Sequence, residues 1–334
     1  MAYTTIDDPA EYFNTLLWTG NGVDGRALTG VGFQPNMMWS KVRTQTHEHS
    51  LVDTVRGVDN KRLMPNDDNN EDTTNSHGHF DSLDSDGFTL TTAGGDYNVN
   101  RNTDTYVGWF WKETATAGFD MVGYTGDGSA RTISHSLSAV PHFMWVKSRT
   151  HDISWRIYHH KNTAAPATDY LELNDTTVTT DSATVWNDTT PTSSVFSVGS
   201  ENNVNQDTTS LIAYLWSEKQ GYSKFGSYVG NGNADCTFVY TGFRPAFVLG
   251  RNTGAGHNWW IADNKRDTYN VMTKLLRADT NGAETSGTII DFLSNGFKLR
   301  ENGADRNESG ETIIYMAFAE APFVNSNGVP CNAR

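Results

Sequence analysis

Three short segments carry residue types that could bind a metal ion. His47 and His49 are separated by one residue, which places them on the same face of a strand as a candidate metal pair. No third ligand is placed near them by spacing. The acidic segment Asn66–Asp72 could offer carboxylates to calcium, but it lacks the Asp-x-Asp-x-Asp-Gly order of a calcium loop. A second acidic segment, Asp81–Gly87, is also calcium-like in composition. We predict solvated polar loops and turns here, with no bound metal and no cofactor.

The carboxylates do not form the arrays that hydrolases use. A glycosidase places two acidic residues on neighbouring positions of one strand, and no such array is present in the sequence. Glu113, Glu218 and Glu320 recur instead, each directly after an apolar strand. This recurrence predicts a structural contact, such as an ion pair or a turn contact. No serine or cysteine nucleophile motif and no phosphate-binding loop appears, so we predict a protein that is not an enzyme and has no catalytic residues.

Two segments place aromatic side chains beside Asn, Asp and Arg, which is the composition of a carbohydrate site. The segment DISWRIYHHKN contains Trp155 and Tyr158, and HNWWIADNKRD contains Trp259 and Trp260. Aromatic rings stack on the CH groups of a sugar while polar neighbours bind its hydroxyl groups. We therefore predict glycan binding at these four residues. The alternative is that they are core residues of a strand.

One pattern of landmarks occurs three times along the chain. Pro35, Pro141 and Pro245 follow one another at intervals of 106 and 104 residues. A glycine-containing turn precedes each proline. An apolar strand that ends in glutamate follows each proline, and the three strands read TYVGWFWKE, SLIAYLWSE and TIIYMAFAE. The pairs Asp86-Gly87 and Asn295-Gly296 also correspond, and both suit the central positions of a type I′ hairpin turn. The chain therefore consists of three repeats of roughly 100 residues.

Composition and periodicity predict β-structure in each repeat. Aromatic and β-branched residues dominate the apolar 37% of the 334 residues, and no segment has helical spacing with caps. In TYVGWFWK, bulky residues alternate on both faces, which predicts a strand that is covered on both sides. The predicted fold class is all-β, with three tandem β-sandwich repeats of the jelly-roll or concanavalin A-like type. The predicted divisions are an N-terminal segment and candidate anchor at 1–15, repeats at 16–113, 119–218 and 222–323, and a C-terminal tail at 324–334. Short linkers predict that the repeats pack against one another.

Charge and hydropathy limit the partners. The formal net charge of −14 repels a phosphate backbone, so we expect no nucleic-acid binding. No apolar run approaches the roughly 20 residues that span a bilayer, and the first residues do not have the composition of a signal peptide, so we expect no membrane insertion. Cys236 and Cys331 are the only two cysteines, and we predict that both are free.

Several of these motifs together resemble a known family. They read MAYTTIDDPAEYFNTLLWTGNG, VGFQPNMMWSKVR, LVDTVRG, LDSDGFTL and TYVGWFWK in the first repeat, with YSKFGSYVGNG, VYTGFRPAFV, FLSNGFKL and YMAFAEAPF in the third. The sequence is similar to virion proteins of tailed bacteriophages, especially marine ones, that carry an uncharacterised β-rich domain. The similarity covers nearly the whole chain, and the second repeat departs from the pattern most.

The resemblance implies a structural component of the phage particle, commonly a tail fibre or another tail protein, and it implies no catalytic residues. We therefore expect localisation in the virion, after synthesis in the host cytoplasm. Expected partners are other virion proteins, a host-surface glycan or receptor, and further copies of this chain, most simply in a homotrimer. Two alternatives are a capsid decoration or head-fibre protein and a polysaccharide depolymerase.

Overall fold

The computed structural model describes residues 3–74, 78–92, 98–254 and 256–332. Nearly all regular structure in these ranges is antiparallel β-sheet, and the helical turns are short. These turns are Pro9–Glu11, Asn202–Asn205 and Ala304–Asn307. The predicted all-β fold class is confirmed. Within the described ranges, no helix is both long enough and apolar enough to cross a membrane.

Repeat 1 is a sandwich of two sheets. Its strands are β1 (Phe13–Thr19), β2 (Arg26–Thr29), β3 (Met37–Val42), β4 (Ser50–Asp53), β5 (His79–Asp84), β6 (Gly87–Thr91) and β7 (Thr105–Trp111). One sheet, which we call the inner sheet, has the order β1-β7-β3-β4, and the other, the outer sheet, has the order β2-β6-β5. A core that includes Trp18, Phe88 and Phe110 fills the space between the two sheets.

Repeat 2 has the same two layers with a longer inner sheet. Its strands are β8 (Phe119–Thr125), β9 (Arg131–Ser134), β10 (Phe143–Ser148), β11 (Arg156–His159), β12 (Asp169–Glu172), β13 (Thr180–Asp181), β14 (Val195–Val198) and β15 (Ser210–Trp216). The inner sheet has the order β13-β12-β11-β10-β15-β8, and the outer sheet consists of β14 and β9. Strands β8, β15, β10 and β11 thus correspond to β1, β7, β3 and β4 of repeat 1.

Repeat 3 joins the two layers into one eight-stranded sheet. Its strands are β16 (Ser223–Val229), β17 (Phe238–Tyr240), β18 (Phe243–Asn252), β19 (Trp260–Asp263), β20 (Met272–Arg277), β21 (Thr285–Leu293), β22 (Gly296–Leu299) and β23 (Thr312–Pro322). The order is β16-β23-β18-β19-β20-β21-β22-β17. The last three strands of this order, β21, β22 and β17, fold over the strands at the beginning of the order and take the place of an outer sheet. Phe297 and Leu299 of β22 accordingly pack in one core with Trp260 and Tyr315.

In repeats 1 and 2, the face of the inner sheet that points away from the outer sheet packs against the other repeats. The corresponding face of repeat 3 joins them, so that all three repeats share one core. Trp39 of repeat 1 lies 5.6 Å from Trp145 of repeat 2, measured between ring centroids. Phe13 of repeat 1 stacks on Phe318 of repeat 3 at 4.8 Å. The predicted packing between repeats is therefore present. The largest core nevertheless belongs to no single repeat, so the sandwiches are not independent domains joined in tandem.

The alternation along β7 explains why each inner sheet can be covered on both sides. Tyr106 and Phe110 point into the core between the sheets of repeat 1, whereas Val107, Trp109 and Trp111 point into the shared core. The prediction of a strand buried on both faces is confirmed, because every residue from Tyr106 to Trp111 is buried.

The predicted hairpin turns exist, but their glycines have a different role. In repeat 1, Asp84 pairs with Gly87, so the two loop residues are Ser85 and Asp86 and not Asp86 and Gly87. Gly87 begins β6, and a Cβ there would lie 1.8 Å from the carbonyl oxygen of Leu28. Gly296 of repeat 3 meets the Val239 oxygen in the same way, at 2.1 Å. The glycine is required by close strand approach, not by positive φ.

The N-terminal segment packs along repeat 3. Ile6 is buried in the shared core, and the hydroxyl group of Tyr3 donates a hydrogen bond to the carbonyl oxygen of Gly242 at 2.8 Å. The C-terminal tail closes over the same region, since Ser326 donates its backbone N–H to Asp7 at 2.7 Å. The segment proposed as an anchor is therefore part of the fold from residue 3 onward. Cys236 and Cys331 are both free, as predicted.

Two histidines of repeat 2 contact backbone carbonyl groups of repeat 3. His159 Nε2 is 3.2 Å from the Tyr315 carbonyl oxygen, and His160 Nε2 is 2.6 Å from the Phe225 carbonyl oxygen. Burial is the main cause that lowers the pKa of His159 to about 3 and that of His160 to about 4. Both rings are therefore neutral at pH 7.

We expect the free energy of unfolding to fall as the pH decreases from about 6.5 towards 4, because the unfolded histidines bind protons in this range and the folded ones do not. Replacing His160 by Gln removes one of these titrations while leaving an N–H donor. Urea unfolding at pH 7 and at pH 4.5 should show a smaller loss for His160→Gln than for the unmodified protein. Equal losses in the two proteins would exclude His160 as a source of the acid sensitivity.

Candidate functional site

The four aromatic residues predicted to bind glycan are all buried. Trp155 and Trp260 are 0% exposed, and Tyr158 and Trp259 are 1% exposed. They lie in or beside β11 and β19, which have a neighbouring strand on each side and packed layers on both faces. No ring face is open to a sugar at these positions, so the glycan-binding assignment is corrected to the alternative, core residues of a strand.

Two of these tryptophans instead tie neighbouring repeats together. The Nε1–H of Trp155 in repeat 2 donates to the carbonyl oxygen of Met64 in repeat 1 at 3.0 Å. Trp259 of repeat 3 donates to the carbonyl oxygen of Glu172 in repeat 2 at 2.7 Å. His49 occupies the equivalent position in repeat 1, and its Nε2 is 3.1 Å from the carbonyl oxygen of Thr280 in repeat 3. The candidate metal ligand His49 thus closes a cyclic set of contacts.

A second cyclic set uses an arginine at the end of each central strand. Arg43 binds Glu284 of repeat 3 through two hydrogen bonds of 3.0 and 2.9 Å. Arg149 binds Glu71 of repeat 1 in the same bidentate way, at 3.1 and 2.9 Å. Within the described residues, the guanidinium group of Arg251, the third member, donates only to the carbonyl oxygen of Thr177 in repeat 2, at 2.8 Å. The acidic segment Asn66–Asp72, which was predicted to be a solvated loop, therefore supplies Glu71 to an ion pair between repeats.

A third set consists of buried Asp–Arg pairs. Asp53 binds Arg56 Nε at 2.5 Å in repeat 1 and accepts the hydroxyl hydrogen of Tyr214 from repeat 2 at 2.6 Å. Asp263 binds Arg266 Nε at 2.5 Å in repeat 3 and accepts the Nε1–H of Trp109 from repeat 1 at 3.1 Å.

Repeat 2 has no such pair. At the corresponding positions it carries His159 and Asn162, and Met316 of repeat 3 occupies the position that corresponds to Tyr214 and Trp109. Methionine offers no N–H or O–H to a carboxylate, so a buried aspartate at position 159 would lack this donor.

The recurring glutamates make the structural contacts that the sequence predicts. Glu113 Oε1 accepts the backbone N–H of Met121 in the next repeat at 3.1 Å, and burial raises the pKa of Glu113 to about 7. Glu218 pairs with Lys224 at 2.6 Å, and Glu320 pairs with Arg244 at 3.1 Å. Two of the three glutamates therefore form ion pairs, and the third accepts a backbone hydrogen bond.

An open depression on repeat 3 combines exposed aromatic and polar groups. Its volume is about 280 Å³, and its floor and walls come from the N-terminal segment, the second linker and the turn after β17. The lining residues are Tyr3, Glu218, Gln220, Gly221, Ser223, Lys224, Tyr240, Thr241 and Gly242. Tyr240 is 53% exposed, and its hydroxyl oxygen is 3.1 Å from that of Tyr3.

The local structure explains why Tyr240 faces solvent. Strand β17 is a sheet edge with an exposed–buried–exposed pattern: Val239 points into the repeat 3 core, and Phe238 and Tyr240 point outward. Burial and the hydrogen bond with Tyr240 raise the pKa of Tyr3, so its hydroxyl group stays neutral and can donate. The depression thus offers a ring face, a hydroxyl group, a carboxylate and an ammonium group.

None of these residues was among the predicted site residues. Tyr240 lies in VYTGFRPAFV, which entered only as a motif of the family resemblance. The period-two pattern of Phe238 and Tyr240 was a usable signal for an exposed aromatic face, whereas the approach of Tyr3 across more than 200 residues has no local signature.

Comparisons with known proteins identify the family and nothing more specific. No curated protein and no solved structure matches this chain. One family model matches residues 8–322, which include all three repeats. The chain therefore belongs to the family described as a domain of unknown function (DUF7483).

Proposed function

We propose that this protein is a non-enzymatic structural component of a phage virion, most simply a tail-fibre or spike-type subunit that binds a host-surface glycan. The phage assignment is supported by the sequence resemblance. The adhesion assignment is supported by one structural observation, the exposed aromatic depression around Tyr240 on a rigid three-part scaffold. The proposed partners are other virion proteins and further copies of this chain, in a homotrimer.

Charged side chains between the repeats support a role as a rigid scaffold. Arg43, Arg149, Asp53 and Asp263 use their charges to hold neighbouring repeats together. Charge pairs that are buried, as for Asp53 and Asp263, or half-buried, as for Arg43 and Arg149, favour one arrangement of the repeats over others, because any other arrangement leaves a charge unpaired. A fixed arrangement of three sandwiches suits a particle component that must keep its shape.

The side chains that line the depression have the chemistry of a carbohydrate site. The ring of Tyr240 can stack on the CH face of a sugar, while Glu218, Lys224 and Gln220 can bind its hydroxyl groups. The Glu218–Lys224 pair, at 2.6 Å, presents an acceptor and a donor side by side. The volume of about 280 Å³ suits one or two sugar units and not a buried polysaccharide.

We expect Tyr240→Ala to weaken binding to host cells and to glycan-array ligands by at least about tenfold, because it removes the stacking surface. Tyr269→Ala is the matched control, since Tyr269 is 79% exposed in the same repeat but lies outside the depression. Circular dichroism should show both variants folded. If the unmodified protein binds neither the array nor host cells, or if the two variants bind alike, the adhesion proposal fails.

A capsid decoration or head-fibre role is the structural alternative. Three related sandwiches around a common core have an approximate three-fold arrangement, which would match a local three-fold position of a capsid. Particle reconstruction distinguishes the two locations: density for this protein on the head overturns the tail-fibre proposal. A polysaccharide depolymerase, the second alternative, would release oligosaccharides when purified protein is incubated with host capsule.

A further inference from the structure

Three metal-ligating side chains converge at the free edge of the outer sheet of repeat 1. His79 and Asp81 lie two positions apart on β5, the edge strand, and Asp59 lies in the connection from β4. Their ligand atoms all lie within 4.8 Å of one another, and His79 Nε2 is 3.1 Å from Asp59 Oδ1. Tetrahedral bonds of about 2.1 Å separate neighbouring ligands by about 3.4 Å, so small rotations of the carboxylates would complete the geometry.

The three groups differ in burial in a way that suits a half-open site. The imidazole of His79 is only 10% exposed, and its one hydrogen bond within the described residues is to Asp59. Asp59 is 71% exposed, and Asp81 is also exposed. The nitrogen ligand is thus held in place, while the two carboxylates can adjust and water can reach the remaining coordination positions.

The basic side chains near this cluster bind other groups. Arg56 binds Asp53 and Glu71, and Lys61 donates to the backbone oxygen of Arg56. Within the described ranges, neither Asp59 nor Asp81 has an arginine or lysine at ion-pair distance. Two carboxylates beside one imidazole therefore form a negative cluster without a basic side chain to balance it, in contrast with the paired carboxylates elsewhere in this repeat.

A β-bulge at Asp81 distinguishes this strand of repeat 1 from the corresponding strand of repeat 3. Phe80 pairs with Leu90 and Ser82 pairs with Thr89, so Asp81 is an extra residue in the ladder. The corresponding stretch of β21 pairs regularly, and its Asp291 is neutralised by Arg300 at 3.4 Å. Bulges are common at sheet edges and beside functional sites, where they redirect a side chain.

From this geometry we propose that Asp59, His79 and Asp81 bind one divalent cation of the Zn²⁺ type, which joins the loop after β4 to strand β5. One imidazole nitrogen with two carboxylate oxygens is a donor set for Zn²⁺, whereas Mg²⁺ and Ca²⁺ prefer oxygen ligands alone. This proposal departs from the sequence-based expectation of no metal. None of the segments considered for metal binding from sequence contains the complete set, since Asp59 lies outside all of them.

Isothermal titration calorimetry tests this proposal. The full chain is treated with EDTA, dialysed and titrated with ZnCl₂ at neutral pH. We expect one Zn²⁺ per chain and no comparable binding of Mg²⁺. His79→Ala and Asp81→Asn should each weaken Zn²⁺ binding by at least about 100-fold, because loss of even a residue that only hydrogen-bonds a metal ligand costs about 10–100-fold. Because Asp81 is exposed, Asp81→Asn should fold normally, so a folding defect of His79→Ala would leave the test intact.

Asp68→Asn is the matched control, since Asp68 is an exposed carboxylate in the other acidic segment of repeat 1. It should bind Zn²⁺ like the unmodified protein. Zn²⁺ should also raise the melting temperature of the unmodified protein and of Asp68→Asn, but not that of Asp81→Asn. Absence of binding, binding that Asp81→Asn does not change, or loss of binding in Asp68→Asn alone would each overturn the proposal.

Discussion

Replacing Asp263 by Ala should destabilise the protein by about 3–5 kcal/mol, the typical cost of leaving a buried charge without its partner. The side chains of Asp263 and Arg266 are both 0% exposed. Asp263 Oδ2 accepts from Arg266 Nε and from Trp109 Nε1, and Oδ1 accepts backbone N–H groups of Lys265 and Arg266. Alanine removes every one of these acceptors at once, within repeat 3 and across to repeat 1.

Two further variants identify the cause of this loss. Asp263→Asn should not rescue stability, because its amide group would replace one acceptor oxygen by a donor while all its neighbours donate. The double variant Asp263→Leu with Arg266→Met should recover part of the loss, since it removes both charges together.

Urea unfolding followed by circular dichroism measures the effect of all these variants. Asp235→Ala is the surface control, because Asp235 pairs with Lys298 while remaining 75% exposed, and little change is expected. A loss for Asp263→Ala no larger than that of the surface control would contradict the argument that this pair holds the repeats together.

The isolated fragment 119–218 should fail to fold, although it contains a complete sandwich repeat. Its inner sheet places Trp145, Trp155, Tyr214 and Trp216 in the shared core, and each is 0% exposed in the whole chain. Exposing four such side chains costs about 12 kcal/mol at roughly 3 kcal/mol each, which is comparable to the whole stability of a typical domain. We expect the fragment to be unfolded or aggregated, with poor dispersion in its amide NMR spectrum.

The whole chain should by contrast unfold in one cooperative transition, because no repeat can leave the shared core alone. A protease site inserted at Gln220, in the exposed part of the second linker, provides the control. The nicked pieces should stay associated on size exclusion, since the core and the contacts between repeats are not covalent. A folded, monomeric 119–218 fragment would show that the repeats are independent domains.

The local patterns of this chain were sufficient for the fold class, the repeats and the two-sided burial of TYVGWFWK. Period-two alternation reports which side chains share a face of a strand, and Tyr106 and Trp109 lie on the faces that this alternation predicts. The landmarks recur because each repeat needs the same close approaches. Gly87 and Gly296 have a cause that lies outside their own turns: the close approach of another strand, and not the turn itself, requires a glycine at each position.

Only the tertiary structure determines whether a given face of a strand is covered by protein or by water. Trp155 and Tyr240 are both aromatic residues near polar neighbours, yet Trp155 is buried by a neighbouring repeat and Tyr240 lies at an open sheet edge. Local periodicity cannot distinguish a face covered by another sheet from one covered by water, because that difference arises from contacts between residues far apart in sequence. The Asp59–His79–Asp81 cluster and the Tyr3–Tyr240 depression form for the same reason, through approaches that no short segment encodes.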